Sequence, residues 1–136
     1  MANYKISDIE GIGPAYAAKL KKTGVMSTNV LLKKGGTKKG RKELAEKSGV
    51  DETLILKWVN RADLLRIKGV GSEYSDLLEN AGVDTVKELK TRNAENLHAK
   101  MQEVNAKKKL VRLLPSLKSV KKWVAQAAKL DARVTY

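Results

Sequence analysis

The sequence predicts an all-α protein that contains two copies of one helical unit, and three observations support this class. Apolar residues recur three and four positions apart in most segments of the chain, which is typical of amphipathic helices. No segment of useful length alternates apolar and polar residues, and no Asn-Gly or Asp-Gly hairpin signal is present. The first half of the chain recurs, in outline, in the second half. We therefore expect a helical fold with an internal repeat.

The repeat is clearest around two Gly-x-Gly segments. Residues 9–25 read IEGIGPAYAAKLKKTGV, and residues 67–83, 58 positions later, read IKGVGSEYSDLLENAGV. The residues of the first copy that recur unchanged are Ile9, Gly11, Gly13, Tyr16, Leu20, Gly24 and Val25. The tripeptide Lys-Trp-Val also occurs twice, around Trp58 and Trp123, now at an offset of 65. The second copy therefore holds about seven additional residues.

These offsets predict two units, residues 1–65 and residues 66–136, the second ending in a helix and a short tail. The helix after the first Gly-x-Gly is predicted over residues 14–23, because Pro14 suits a first helical position and Gly24 a C-terminal turn. In the second copy we expect Ser72 to cap the corresponding helix and Gly82 to end it.

Two longer helices are predicted over residues 51–65 and 116–130, with Asp51 and Ser116 as their N-caps. Each places a tryptophan among apolar residues at helical spacing, so Trp58 and Trp123 are predicted core residues, and the two units are expected to pack through these helices. Further helices are predicted at about 41–48 and 94–113.

Composition narrows the classes of function. The net charge of +13 favours a polyanion as the partner. The absence of cysteine excludes a disulfide scaffold and a cysteine-ligated metal, and a single histidine, His98, does not support a histidine-built metal site. The sequence shows no catalytic motif, so we expect neither an enzyme nor a bound cofactor. No signal peptide or membrane-spanning run is apparent, so we expect a cytoplasmic protein.

The segments Ile9-Glu10-Gly11-Ile12-Gly13 and Ile67-Lys68-Gly69-Val70-Gly71 resemble the turn of the helix-hairpin-helix family. The chain as a whole is also similar to a bacterial family of tandem helix-hairpin-helix proteins whose function is not established. That similarity extends to the residues GGTKKGR (35–41), KWVNR (57–61) and LPSL (114–117). The resemblance implies that the backbone N–H groups of the turn hold a DNA phosphate. Glycine allows such a close backbone approach, and consecutive N–H groups at a helix start form an anion-binding nest.

The two hairpins differ in charge. Lysines follow the first, whereas Glu73, Asp76 and Glu79 follow the second and are expected to repel a phosphate there. Residues 33–42 are predicted to form a flexible basic arm. The expected DNA contacts are therefore Gly11, Ile12, Gly13, Lys19, Lys21, Lys22, Lys38, Lys39, Arg41 and Lys42. A weaker second site is expected at Lys68, Gly69, Val70 and Gly71.

The function expected from these features is binding of duplex or branched DNA through its phosphates, without strong sequence preference, in association with the nucleoid. Structured RNA is an open alternative as the nucleic acid. A protein–protein adaptor, with purely structural hairpins, is an alternative from another class. A third is an accessory domain that works beside a nuclease or ligase.

Overall fold

A computed structural model describes residues 3–136, and its regular structure is a short 3₁₀ helix, Ile6–Asp8, followed by eight α-helices. These are α1 (Pro14–Lys21), α2 (Thr28–Gly35), α3 (Lys38–Ser48), α4 (Glu52–Leu64), α5 (Ser72–Asn80), α6 (Val86–Leu89), α7 (Ala94–Lys108) and α8 (Leu117–Ala128). One isolated antiparallel bridge joins Lys5 and Ser27, and there is no strand within the described range. The all-α class is confirmed for these residues.

Side chains cap most of the helices. The hydroxyls or side-chain oxygens of six N-cap residues accept a backbone N–H from the first turn: Ser27, Thr37, Asp51, Thr85, Asn93 and Ser116. The predicted caps of α4 and α8 are therefore confirmed. The predicted cap Ser72 is wrong, because Gly71 holds the N-cap position and Ser72 is the first residue of α5. The remaining helix without a side-chain cap is α1, which follows Gly13.

Residues 33–42 are a helical corner, and the prediction of a flexible arm is wrong. They comprise the end of α2, a two-residue link and the start of α3. Their glycines allow close packing: a Cβ on Gly35 would lie 2.6 Å from Cγ2 of Val59, and one on Gly40 would overlap the carbonyl oxygen of Lys34. The absence of side chains here lets α2 and α3 pack tightly against α4.

Two apolar cores underlie the two repeats. Trp58 and Trp123 are 2% and 3% exposed, which confirms their assignment to the core. Trp58 contacts Tyr16 with ring centroids 5.0 Å apart, and Trp123 contacts Tyr74 at 5.4 Å. Each tryptophan thus packs inside its own core and not between the units. Of the two Trp-bearing helices through which the units are expected to pack, α4 does contact the second repeat, through α5.

Helix α4 joins the two repeats. Its C-terminal end places Leu64 in the second core, while Leu65, directly after the helix, lies in the first. The guanidinium of Arg61 donates to Asp76 Oδ1 at 2.7 Å and to Glu79 Oε2, both on α5. Adjacent residues at the end of α4 therefore pack in different cores, and a buried cation ties the helix to the second repeat.

The segment after α8 returns to the first repeat. Val134 is buried in the first core, and the N–H of Thr135 donates to the carbonyl of Gly36 at 2.8 Å. Asp131 accepts from Arg66 at 2.9 Å. The short tail predicted as part of the second unit therefore contributes to the packing of the first. Across residues 3–136, no helix has both the length and the apolar character required to cross a bilayer.

Candidate nucleic-acid interface

The two Gly-x-Gly turns have the same backbone conformation. Gly11 and Gly69 lie in the left-handed region, with φ of 94° and 97°. After each, an apolar residue donates its N–H back across the turn: Ile12 to Ile9 and Val70 to Ile67, both at 3.1 Å. The side chains of Ile12 and Val70 are buried, so these two residues anchor the turns and can reach a ligand only through their backbone.

The indole of a tryptophan lies next to the first glycine of each turn. The indole Nε1 of Trp58 lies 3.8 Å from the position of a Cβ on Gly11, and that of Trp123 lies 3.0 Å from the position of a Cβ on Gly69. A side chain at either glycine would have an unfavourable φ, and at Gly69 it would also crowd the indole. Each turn thus lies against the tryptophan of its own repeat.

The outer side of each turn is open. Gly13 and Gly71 are the N-caps of α1 and α5, in extended conformation, and no atom lies within 4 Å of a Cβ built on either. The N–H groups of Ala15 and Tyr16, in the first turn of α1, have no intrahelical acceptor, as in any helix. Gly13 offers no side chain to accept from them. A set of backbone donors therefore faces space that an anion could occupy.

Exposed lysines follow the first turn. Lys19, Lys21 and Lys22 are exposed on and directly after α1, and Lys19 Nζ lies 5.8 Å from the centroid of the Tyr16 ring. A second set of exposed predicted contacts, on the first turns of α3, consists of Lys38, Lys39 and Lys42. Both sets lie in the first repeat, and the helices that carry them, α1 and α3, contact each other.

Arg41 is a structural residue, and its assignment to the DNA contacts is wrong. It is 3% exposed, and its guanidinium donates to the carbonyl oxygens of Gly35, Gly36 and Thr135 at 3.0, 3.1 and 2.6 Å. These bonds connect the α2–α3 corner to the C-terminal segment. Arg41 faces the corner while Lys39 and Lys42 face solvent, so the basic stretch contains one buried cation and several exposed ones.

The second turn has a different environment. The Gln126 side chain accepts from the N–H of Lys68 at 3.0 Å and donates to the carbonyl of Lys68 at 3.1 Å, which fixes the turn to α8. Two of the three acids on α5, Asp76 and Glu79, are paired with Arg61. Glu73 is exposed and carries the uncompensated negative charge nearest to the start of α5.

Sequence reasoning missed a pair of repeated cations. Lys34 Nζ donates to the carbonyl of Thr23 at 2.9 Å, and the Arg92 guanidinium donates to the carbonyl of Gly82 at 2.8 Å. Both satisfy carbonyls at the ends of α1 and α5, where cations are favourable. The two residues stand 58 positions apart, which is the offset of the repeat. Comparison of the two copies at that offset could therefore have identified this pair of cations.

Comparison with known proteins adds a family assignment. Residues 10–130 match the model of a family described as a domain of unknown function, DUF4332. The chain belongs to this family. The DUF4332 domain includes both Gly-x-Gly turns and all eight α-helices. No curated protein matches the chain, and no solved structure matches it. In the part of the chain that the structure describes, no group of three or more His, Asp or Glu side chains is arranged to hold a metal ion.

Proposed function

We propose that the two repeats are helix-hairpin-helix units and that the protein binds duplex or branched DNA through its phosphates at the nucleoid, without strong sequence preference. One observation carries this proposal. Within residues 3–136, six of the eight α-helices are capped by a side chain, and the two that are not, α1 and α5, both begin at an open glycine after a turn with positive φ. An external anion is the natural acceptor for the donors that these two helices leave unpaired.

A DNA phosphate suits this site physically. The N–H groups of the turn and of the first helical turn donate to the anionic oxygens, and the positive end of the helix dipole adds attraction. The exposed lysines of α1 and α3 supply the longer-range attraction, which depends on charge and carries no sequence information. The net charge of +13 supports a polyanion in preference to an isolated anion.

The first hairpin is the stronger of the two proposed sites. Lys19, Lys21 and Lys22 follow Gly13, whereas Glu73 stands in the first turn after Gly71. Asp76 and Glu79 do not contribute fully to the repulsion, since Arg61 neutralises part of their charge. The difference between the hairpins is therefore proposed to arise mainly from Glu73 on one side and from the three lysines on the other.

A salt titration tests the function directly. If four to six phosphates are neutralised, the logarithm of the affinity for duplex DNA falls against the logarithm of salt concentration with a slope of roughly −4 to −5. Duplex, branched and single-stranded DNA and structured RNA of equal length are compared in the same titration. No binding at about 50 mM salt, or a slope near zero, would falsify the proposal and favour the adaptor alternative.

A charge substitution tests the site. Gly13→Glu places a carboxylate in front of the donors of α1, and φ of −85° with open space around the Cβ means that the turn tolerates a side chain. We expect it to weaken DNA binding more than tenfold, about 1.4 kcal/mol or more. Gly13→Gln controls for size, and Gly71→Glu is the matched change at the second hairpin, where we expect a smaller loss. A larger loss at Gly71 would reverse the order of the two sites.

A further inference from the structure

The loop between α7 and α8 holds an exposed leucine in a fixed position. Leu113 is 76% exposed, although it lies in a segment of irregular structure that is anchored on both sides. Val111 is buried, and both its N–H and its carbonyl are bonded to the Asn105 side chain, at 3.0 and 3.2 Å. The carbonyl of Pro115 accepts from Nε2 of His98 at 2.9 Å. The loop is thus fastened before and after Leu113.

The leucine itself is tied to the second hairpin helix. The hydroxyl of Tyr74 donates to the carbonyl of Leu113 at 2.9 Å, and Tyr74 is the third residue after the cap glycine Gly71. Since the Tyr74 ring also packs on Trp123, the backbone of Leu113 is held beside the start of α5 while its side chain remains in solvent. A rigid loop therefore presents an isobutyl group next to the second hairpin.

The chain on both sides of Leu113 is rich in exposed cations. Arg112 precedes it and is exposed, and further exposed cations on the loop and its flanking helices are Lys107, Lys108, Lys109, Lys118, Lys121 and Lys122. The flanking helices contribute two nearby acids: Glu103 lies 3.8 Å from Lys107, and Glu95 lies 3.4 Å from Lys121. Arg112, Lys109 and Lys118 form no ion pair among residues 3–136. The segment combines one exposed apolar side chain with an excess of positive charge, and the exposed Glu73, which precedes Tyr74, is a further acid on the adjacent helix α5.

We propose that Arg112 and Leu113 form a wedge that enters a groove of duplex DNA beside the second hairpin and unstacks a base step there. This inference rests on the proposed function. Proteins that bind the minor groove insert apolar side chains such as leucine between base steps and use Arg or Lys beside them, whereas a single leucine buries too little area to hold a protein on a bilayer. The wedge also gives the second repeat a role that does not require its acidic helix to bind phosphate tightly.

Fluorescence of a duplex that carries 2-aminopurine tests the wedge, because unstacking of this base raises its emission. We expect the wild-type protein to raise the emission. Leu113→Ala should abolish the rise and weaken affinity about tenfold, the order expected when most of a buried isobutyl group is lost. Met26→Ala, which truncates another exposed apolar residue (58% exposed) in the first repeat, is the matched control and should behave as wild type.

The outcomes separate the wedge from the function on which it rests. If the wild-type protein does not bind the duplex, the proposed function itself fails. If it binds without a rise in emission, or if Leu113→Ala and Met26→Ala behave alike, the wedge is wrong and phosphate binding stands. The last measurement is sedimentation of the protein with phosphatidylserine vesicles, which tests whether Leu113 binds a lipid surface instead of DNA. A Leu113→Ala variant that loses vesicle binding but keeps its affinity for DNA would overturn the wedge in favour of a lipid surface.

Discussion

The indole nitrogen of Trp123 lies 3.0 Å from the position that a Cβ on Gly69 would occupy. This contact is tighter than the corresponding 3.8 Å between Trp58 and Gly11, although both glycines have nearly the same positive φ. The second turn is therefore more closely fitted to its tryptophan than the first, and the two repeats differ in how much change their turns can accept.

Alanine substitutions at the turn glycines measure this difference. We expect Gly11→Ala to cost about 1–2 kcal/mol of unfolding free energy, because an L-residue is strained at its φ. Gly69→Ala should cost more, since its Cβ also meets the indole. Gly13→Ala should change stability by less than about 0.5 kcal/mol, because poorer capping is offset by a less flexible unfolded chain. Urea denaturation of the three variants decides the order, and equal losses at all three positions would contradict it.

Truncation of the tryptophans tests the two cores. Trp58→Ala and Trp123→Ala should each destabilise the protein by about 3–5 kcal/mol, because each leaves a large cavity in its own repeat. We expect amide hydrogen exchange to rise first in the repeat that carries the substitution, since neither tryptophan bridges the two cores. Uniform loss of protection from either variant would show that the repeats unfold as one unit.

Substitutions of Arg41 and Lys39 test whether one basic stretch holds both a structural cation and a cation that binds DNA. Arg41→Gln should lower the unfolding free energy by about 2–4 kcal/mol, because three carbonyl groups lose a charged donor. It should leave the salt slope of DNA binding unchanged under conditions in which the variant is folded. Lys39→Gln should leave stability unaltered and reduce the slope by about one. The reverse pattern would return Arg41 to the DNA contacts.

Asp84 makes stability depend on pH. Desolvation raises the pKa of Asp84 above its usual value, and the nearby carboxylates of Glu88, Glu79 and Asp63 raise the pKa further. The folded state therefore binds a proton more readily than the unfolded chain, and the contribution of Asp84 to stability falls as pH rises from about 3.8 through the raised pKa. Asp84→Asn removes this loss, so the variant should be more stable than wild type at pH 7 and equal to it at acid pH. Thermal unfolding at several pH values measures the difference, and a variant that is less stable at neutral pH would contradict the assignment.

Much of the fold could be predicted because its determinants are local. The helices around Trp58 and Trp123, with their caps at Asp51 and Ser116, follow from periodicity and capping chemistry within a few residues. The short helix α6 and the end of α7 were harder to predict from the sequence. Lys108 ends α7 because Asn105 bonds to Val111 and Lys109 adopts a positive φ, and neither feature has a strong sequence signature.

The candidate site was predictable only in part. The glycines of both turns lie where the repeat indicated, and the exposed lysines of α1 lie where the sequence places them. The side chains of Ile12 and Val70, two of the expected contacts, are buried. The charge pattern of the second hairpin was misleading, since the sequence shows Asp76 and Glu79 but does not show that Arg61, on another helix, neutralises them. An ion pair between distant segments depends on packing, and local charge counts do not reveal it.

By itself, the sequence determined the helical class, the repeat, the two glycine turns and the burial of both tryptophans, because each depends on residues close together in the chain or on self-comparison. Only the tertiary structure decided that Arg41 is buried, that the basic glycine stretch is a tight corner and that Val134 completes the first core. These features join residues up to about a hundred positions apart, such as Gly36 and Thr135. Such contacts form because the chain returns to the first core after α8, which places the carbonyl of Thr135 within reach of the Arg41 guanidinium.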